Sequence, residues 1–251
     1  MMKSSVADFS ANGFCVVKNL LCSDSRRVIT NDIHRLVRLA VGPKASTVDH
    51  LDDLWGVLED NDPKRKSLLY DSLGSLASLL KLFLKEEITS IINEIGGENL
   101  FLTNPQIRAD RGCSRFLNLH QELGQLSYLT FTVWAPLIGS AKLLVAPGSH
   151  RAGLAPHVEY AKPFPHWGVK KLDIETSVIE VEAGDFLIFH PLLIHGSPLE
   201  IPAKNIRWIG IARYSDFDSA APLLLNESKF PIKRTDLAYR EHFDKVRFSD
   251  V

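Results

Sequence analysis

Residues 181–190 read VEAGDFLIFH. Two short runs of apolar, β-branched and aromatic residues meet at Ala-Gly-Asp, so the stretch reads as two strands joined by a tight turn. The same texture extends on both sides. Upstream lie NLFLTNPQIRAD, YLTFTVWAPL, KLLVAP and SVIEVEA, and downstream lies IRWIGIARY, each short and bounded by Gly, Pro or Asp. Before about residue 98 the pattern is helical. Ser23 is placed to cap a helix over DSRRVITNDIHRLVRLA, whose apolar residues recur every three or four positions. Asp62-Pro63 starts a second helical stretch, and SLASLLKLFLKEEITSIINEIGG reads as one amphipathic helix ending at Gly96-Gly97. Helices followed by many antiparallel strands predict an α+β protein, a double-sheet β roll with a helical flank. No linker or repeat divides it. The expectation is one domain over 1–251, with the helical flank about 20–97, the β-roll core about 98–216 and a C-terminal tail over 217–251.

Composition narrows the function classes. Of 251 residues, 45% are hydrophobic and 24% charged, and the net charge is −1. No overall basic field points to nucleic acid or to an anionic membrane, and the cations of the tail are interleaved with Asp and Glu. The three cysteines, Cys15, Cys22 and Cys113, are odd in number and form no C-x-x-C, which fits a reducing compartment. The N-terminus has no apolar core followed by a cleavage site, and no run is long enough to span a bilayer. A cytoplasmic protein acting on a small molecule is expected.

Where chemistry could reside is a harder question. His-x-Asp/Glu occurs four times: His50/Asp52, His120/Glu122, His157/Glu159 and His242/Asp244. The first and last fall in helical context, where residues two apart do not share a face. His157/Glu159 follows Pro156 in an apparent loop. Only His120/Glu122 sits in an alternating run, FLNLHQELGQL at 116–126. There Leu117, Leu119, Gln121 and Leu123 take one face, and Phe116, Asn118, His120 and Glu122 the other. Polar groups on an inward face need partners, and a metal ion would supply one.

A third ligand could be His190 or His195, which have opposite strand parity. Two histidines and one carboxylate make the facial triad of non-haem Fe(II) oxygenases. A dicarboxylate cosubstrate would need an arginine for its far end. Arg207 and Arg213 both share the parity of Ile209 and Ile211, and Ser197 follows two residues after His195. Pairing of the arginines with Asp216 or Asp218 is the plainer alternative.

Five motifs in order resemble the phytanoyl-CoA dioxygenase family of Fe(II)/2-oxoglutarate-dependent oxygenases. They are FSANGFCVVKNLL at 9–21, LHQE at 119–122, TVWAPLIG at 132–139, LLVAPGSHRAG at 143–153 and AGDFLIFHPLLIHGS at 183–197. The resemblance implies a double-stranded β-helix (jelly-roll, cupin-like) core with flanking helices. By the same resemblance His120, Glu122 and His195 fall on the metal ligands, Arg207 and Ser197 on the far-carboxylate site, and Trp134 on the cosubstrate wall. His150 falls on a Pro-Gly-Ser-His turn with a structural role, and Thr103, Asn104 or Gln106 could hold the near carboxylate. Implied cofactors are Fe(II), the cosubstrate 2-oxoglutarate and O2. The implied reaction hydroxylates a small metabolite with release of succinate and CO2. Glu122 departs from the family's usual aspartate but remains an anionic oxygen ligand, which disfavours halogenation. The Asn-Gly usual before the Pro-Gly-Ser-His turn is also missing.

Two other classes compete. One is a non-catalytic metal- or ligand-binding module on the same roll. The other is a metal-dependent cupin-type enzyme, such as an isomerase, without 2-oxoglutarate. The segment 45–95 and the loop PHVEYAKPFPHWGVKKLDIET are expected to line the mouth of the site.

Overall fold

The computed structural model describes residues 2–96, 100–111, 119–122, 129–160, 166–170, 173–198, 206–216 and 229–233. Six α-helices come first or nearly so: α1 Met2–Asn12, α2 Ser23–Val41, α3 Leu51–Asn61, α4 Pro63–Gly74, α5 Ala77–Phe83 and α6 Glu86–Gly96. Strand β1, Phe14–Val17, lies between the first two. The other strands are β2 Leu100–Arg111, β3 Leu129–Pro136, β4 Ser140–Val145, β5 His157–Tyr160, β6 His166–Val169, β7 Ser177–Glu182, β8 Phe186–Phe189, β9 His195–Gly196, β10 Ile206–Asp216 and β11 Lys229–Lys233. A six-stranded sheet runs β1-β8-β3-β10-β2-β11, and a three-stranded sheet runs β7-β4-β9. Every pairing between these strands is antiparallel. Among the described residues no helix is long and apolar enough to cross a membrane.

The two sheets face each other across Trp134, Leu143, Val145, Val181, Leu187, Phe189, Ile209 and Ile211. This is the double-stranded β-helix, and strand parity builds it. On β10, Ile206, Trp208, Ala212 and Tyr214 pack against the helices, while Ile209 and Ile211 face the small sheet. On β8, Phe186 and Ile188 take the helical side and Leu187 and Phe189 the inner one. Helices and sheet are also tied by hydrogen bonds, from Tyr214 Oη to Phe83 O (2.7 Å) and from Tyr70 Oη to Ala109 O (2.7 Å). The turn read at Ala-Gly-Asp carries the chain from β7 in one sheet to β8 in the other. Gly184 there has φ +114°, a conformation that favours glycine, and a Cβ would sit a tight 3.1 Å from Leu21 O.

Several expectations change in detail. Ser23 is the first residue of α2, Cys22 stands at the cap position, and its side chain makes no capping bond. Asp62 does cap α4, its carboxylate accepting from Arg65 N at 3.0 Å. The single helix expected over 75–97 is two, α5 and α6, broken at Leu84-Lys85. Glu86 and Glu87 open the second, where acidic residues favour a new N-terminus. The break lets Leu79, Leu82 and Phe83 and then Ile88, Ile91 and Ile92 all face the core. His157–Tyr160 is not loop: it is β5, paired with β6. Residues 229–233 of the tail form β11 on the edge of the large sheet, beside β2.

Candidate active site

Residues 119–122 are held from four directions. His120 and His195 exchange backbone hydrogen bonds of 2.8 and 3.0 Å, forming an isolated bridge. Leu119 O accepts from Val169 N (2.7 Å), and Glu122 N donates to Pro191 O (3.0 Å). Gln121 is 2% exposed, and its amide donates to Gly153 O (3.0 Å) and Leu192 O (2.6 Å) and accepts from Ala155 N (2.9 Å). The long strand expected over 116–126 is therefore, within its described part, one bridge position clamped between loops. The remainder of that stretch lies outside the described residues. The facing holds nonetheless, since Leu119 packs with Ala146, Val169 and Ile194 while His120 and Glu122 face the cavity between the sheets.

That cavity is about 130 Å³ and brings most of the candidate residues together. His120, Glu122, His195, Ser197, Arg207, Trp134 and Arg213 all line it. One nitrogen or oxygen from each of His120, Glu122 and His195 lies within 4.8 Å of the others, a grouping that can hold a metal ion. His195 Nδ1 is 2.9 Å from Leu193 O. A carbonyl only accepts, so Nδ1 carries the proton and Nε2 keeps its lone pair toward the cluster. Burial, outweighing the nearby Glu122 carboxylate, lowers the His195 pKa and keeps the ring neutral, as ligation requires. Two imidazoles and a carboxylate are a donor set that suits iron, provided the acid is ionised. Burial pushes the Glu122 carboxyl up, but Arg213 first, and then His195 and His120, bring it below the ordinary range.

The arginines occupy different ground. Arg207 is 9% exposed, with Nη1 donating to Lys142 O (3.2 Å), and shares the wall with Ser197. Arg213 donates from Nη2 to Glu122 Oε2 at 3.2 Å, so among the described residues its anion is the site carboxylate; the side chain of Asp216 and the whole of Asp218 lie outside them. Trp134 lies on β3 between Ile211 and Leu187, 5% exposed.

The other candidates fall elsewhere. His190 packs its ring on Phe9 and His150, and its Nδ1 accepts from Leu192 N. His150 abuts Gly13, whose positive φ and lack of Cβ give the imidazole room; a Cβ would come 2.5 Å from Nδ1. Asp52 accepts from Trp208 Nε1 (2.8 Å), fastening α3 to β10. His157 Nδ1 is bonded to Ala155 O. His242/Asp244 and the side chains of Thr103 and Asn104 lie outside the described residues, and Gln106 does not line the cavity.

Three residues escaped the sequence reading. Arg108 and Thr132 line the cavity. Arg108 shares the parity of Gln106 on β2, opposite the inward Ile209, so parity could have found it. Gln121 had no such signal, because its partners are main-chain groups of two distant loops. No residue of segment 45–95 lines the cavity, because those helices cover the other face of the large sheet.

Comparison with known proteins agrees with this architecture. The family model described as phytanoyl-CoA dioxygenase (PhyH) matches residues 141–199. Peroxisomal phytanoyl-CoA dioxygenase of Homo sapiens is 28% identical over 214 residues, covering 75% of this chain and 61% of the human protein. The chain thus spans about 61% of the length of that relative. Among solved structures, the apo non-heme monooxygenase ThoJ superposes with a TM-score of 0.64 at 16% identity, over 92% of this chain and 84% of that one. The epimerase SnoN, in complex with Fe3+, alpha ketoglutarate and nogalamycin RO, gives 0.60 at 13% identity, over 94% and 96%. At these identities the structures show a shared fold. With the ordered motifs and the family match over residues 141–199, the chain is similar to the phytanoyl-CoA dioxygenase family.

Proposed function

We propose that the protein is an Fe(II)- and 2-oxoglutarate-dependent dioxygenase that hydroxylates a small organic metabolite, releasing succinate and CO2. The observation that carries this reading is the convergence, in one cavity, of a two-histidine, one-carboxylate cluster with a buried arginine and a serine on the wall. Strands near both ends of the chain, β1 and β11, join the large sheet, which supports reading 1–251 as one oxygenase domain. Cysteine usage supports a cytoplasmic location, although the human relative is described as peroxisomal.

His120, Glu122 and His195 would hold the iron. When bound, it supplies activation of O2 coupled to oxidative decarboxylation of the cosubstrate. The chain's own contribution is positional. The Leu193 carbonyl fixes the His195 tautomer. Arg207, charged at any working pH, would take the far carboxylate of 2-oxoglutarate, with the Ser197 hydroxyl beside it. Trp134 and Phe189 close the apolar wall and keep water from the reacting centre.

The test is succinate release. Protein reconstituted anaerobically with Fe(II) and 2-oxoglutarate is exposed to O2 with pools of small metabolites. Succinate that rises with one pool supports the proposal and begins to identify the substrate. A protein that binds iron and 2-oxoglutarate but forms no succinate with any pool, or alone, would favour a binding module instead.

A further inference from the structure

The Glu122 carboxylate is shared between two neighbours. Oε1 lies 3.8 Å from His195 Nε2, on the side of the metal cluster, and Oε2 is 3.2 Å from Arg213 Nη2. Both side chains are mostly buried, at 15% and 13% exposure. Arg213 is itself well anchored. It stands on β10 directly across from Thr132 of β3, with Arg207, Ile209 and Ile211 on the same face. Neither Nε nor Nη1 of Arg213 has a hydrogen-bond partner among the described residues, so Glu122 is the group that holds its charge there. A buried guanidinium whose anion is lost is strongly disfavoured. The pair is therefore expected to persist when the cluster takes up metal.

That arrangement bears on how many oxygens Glu122 can give. A carboxylate that chelates a metal turns both oxygens toward it. Glu122 has one oxygen drawn away by Arg213 and one left facing the cluster. From this geometry we infer that Arg213 is a positioning residue, which makes Glu122 a one-oxygen ligand and preserves an open coordination place that a chelating glutamate would fill. The glutamate side chain, one methylene longer than aspartate, has the reach to touch both the cluster and Arg213. The inference rests on the proposed metal site and deepens it, because an oxygenase of this kind needs its remaining positions for cosubstrate and O2.

Mn(II) reports this without turnover. A chelating carboxylate displaces one water from the metal, so the relaxation of solvent protons by the Mn(II)-loaded protein falls as denticity rises, before any 2-oxoglutarate is added. Arg213→Met should lower that relaxation by about a third, as a freed Glu122 takes one of the three places the triad leaves open. Arg213→Gln should lower it less, and Arg213→Lys, which keeps a cationic donor, should retain most of it. In a Glu122→Asp background, where the shorter side chain does not span both partners, Arg213→Met should add little, the non-additivity expected of residues acting through one another. Unchanged relaxation in whichever neutral variant folds, measured beside wild type that loads Mn(II) normally, overturns the inference alone. A wild-type protein that takes up no Mn(II) overturns the metal reading and this inference together.

Discussion

The backbones of His120 and His195 hold each other, His120 N donating to His195 O at 2.8 Å and His195 N to His120 O at 3.0 Å. The rings, with centroids 4.3 Å apart, are therefore fixed by main-chain bonds that neither side chain makes. Removing an imidazole should leave the frame standing. His120→Ala and His195→Ala are expected to lose Fe(II) loading while the metal-free Tm moves by no more than about 4 °C, since 1 kcal/mol corresponds to roughly 2–4 °C in a chain of this size. Iron analysis beside a melting curve checks both halves. Stoichiometric iron in either variant would show that the ligand was misassigned.

Gln121 should behave in the opposite way. It touches no metal, yet it ties residue 121 to Gly153, Ala155 and Leu192. Gln121→Leu keeps the volume and removes every bond. Each buried main-chain group left without a partner costs roughly 1–3 kcal/mol. The Tm should fall by at least about 4 °C. Metal affinity should fall by roughly tenfold or more, as for other groups that orient ligands. A variant with wild-type stability and metal affinity would mean that backbone clamps alone hold His120 and Glu122.

The contrast between these residues shows what a sequence carries. IRWIGIARY was legible because each of its residues obeys a two-residue period, and β10 does split Ile209 and Ile211 from Trp208, Ala212 and Tyr214. His120 and Glu122 were legible by the same rule even though their strand, within its described part, shrinks to a bridge. Gln121 reads as an outlier on an apolar face, because its reason lies in loops 32 to 71 residues away. Choosing between Arg207 and Arg213 was equally beyond parity, since both face inward, and only the position of the Glu122 carboxylate sets them apart. The break between α5 and α6 depends on helices packing on a sheet, which one amphipathic pattern does not record. Strands β5 and β6 are four residues each, too short for alternation to stand out from the Pro-rich loop around them.

The two described cysteines should differ sharply in reactivity. Cys15 lies on β1 opposite Ile188, and burial, with Asp8 adding to it, pushes its thiol up to about 12. Cys22 is exposed, and the Ser25 hydroxyl and backbone beside it lower its thiol below the ordinary value. The thiolate is the nucleophile, so reactivity rises as pH approaches the thiol pKa from below. Between pH 7 and 9 iodoacetamide should modify Cys22 with a rate that climbs with pH, and leave Cys15 untouched until the protein unfolds. Peptide mapping of the alkylated protein measures this. Labelling of Cys15 at a rate comparable to Cys22 would show that β1 opens readily from β8.

Arg207 carries the most specific claim about the cosubstrate. It is 9% exposed on the inner face of β10, and its Nη1 is steadied by Lys142 O of the facing sheet. Ser197 stands on the same wall, just past the β9 strand that presents His195. Arg213 is equally inward but is already engaged by Glu122. Under the proposed function a far carboxylate would find its bidentate partner in Arg207, with Arg213 acting on the metal side of the cavity. Losing a buried charge-assisted pair should cost roughly 2–5 kcal/mol of binding, because the carboxylate is left without its counter-charge. With each 1.4 kcal/mol worth tenfold, Arg207→Met should raise the apparent constant for 2-oxoglutarate by at least about thirtyfold at saturating iron. Arg213→Met should raise it less, its main effect falling on the metal's surroundings. Titration of 2-oxoglutarate into both iron-loaded variants ranks them, and the reverse order would place the far carboxylate beside Arg213.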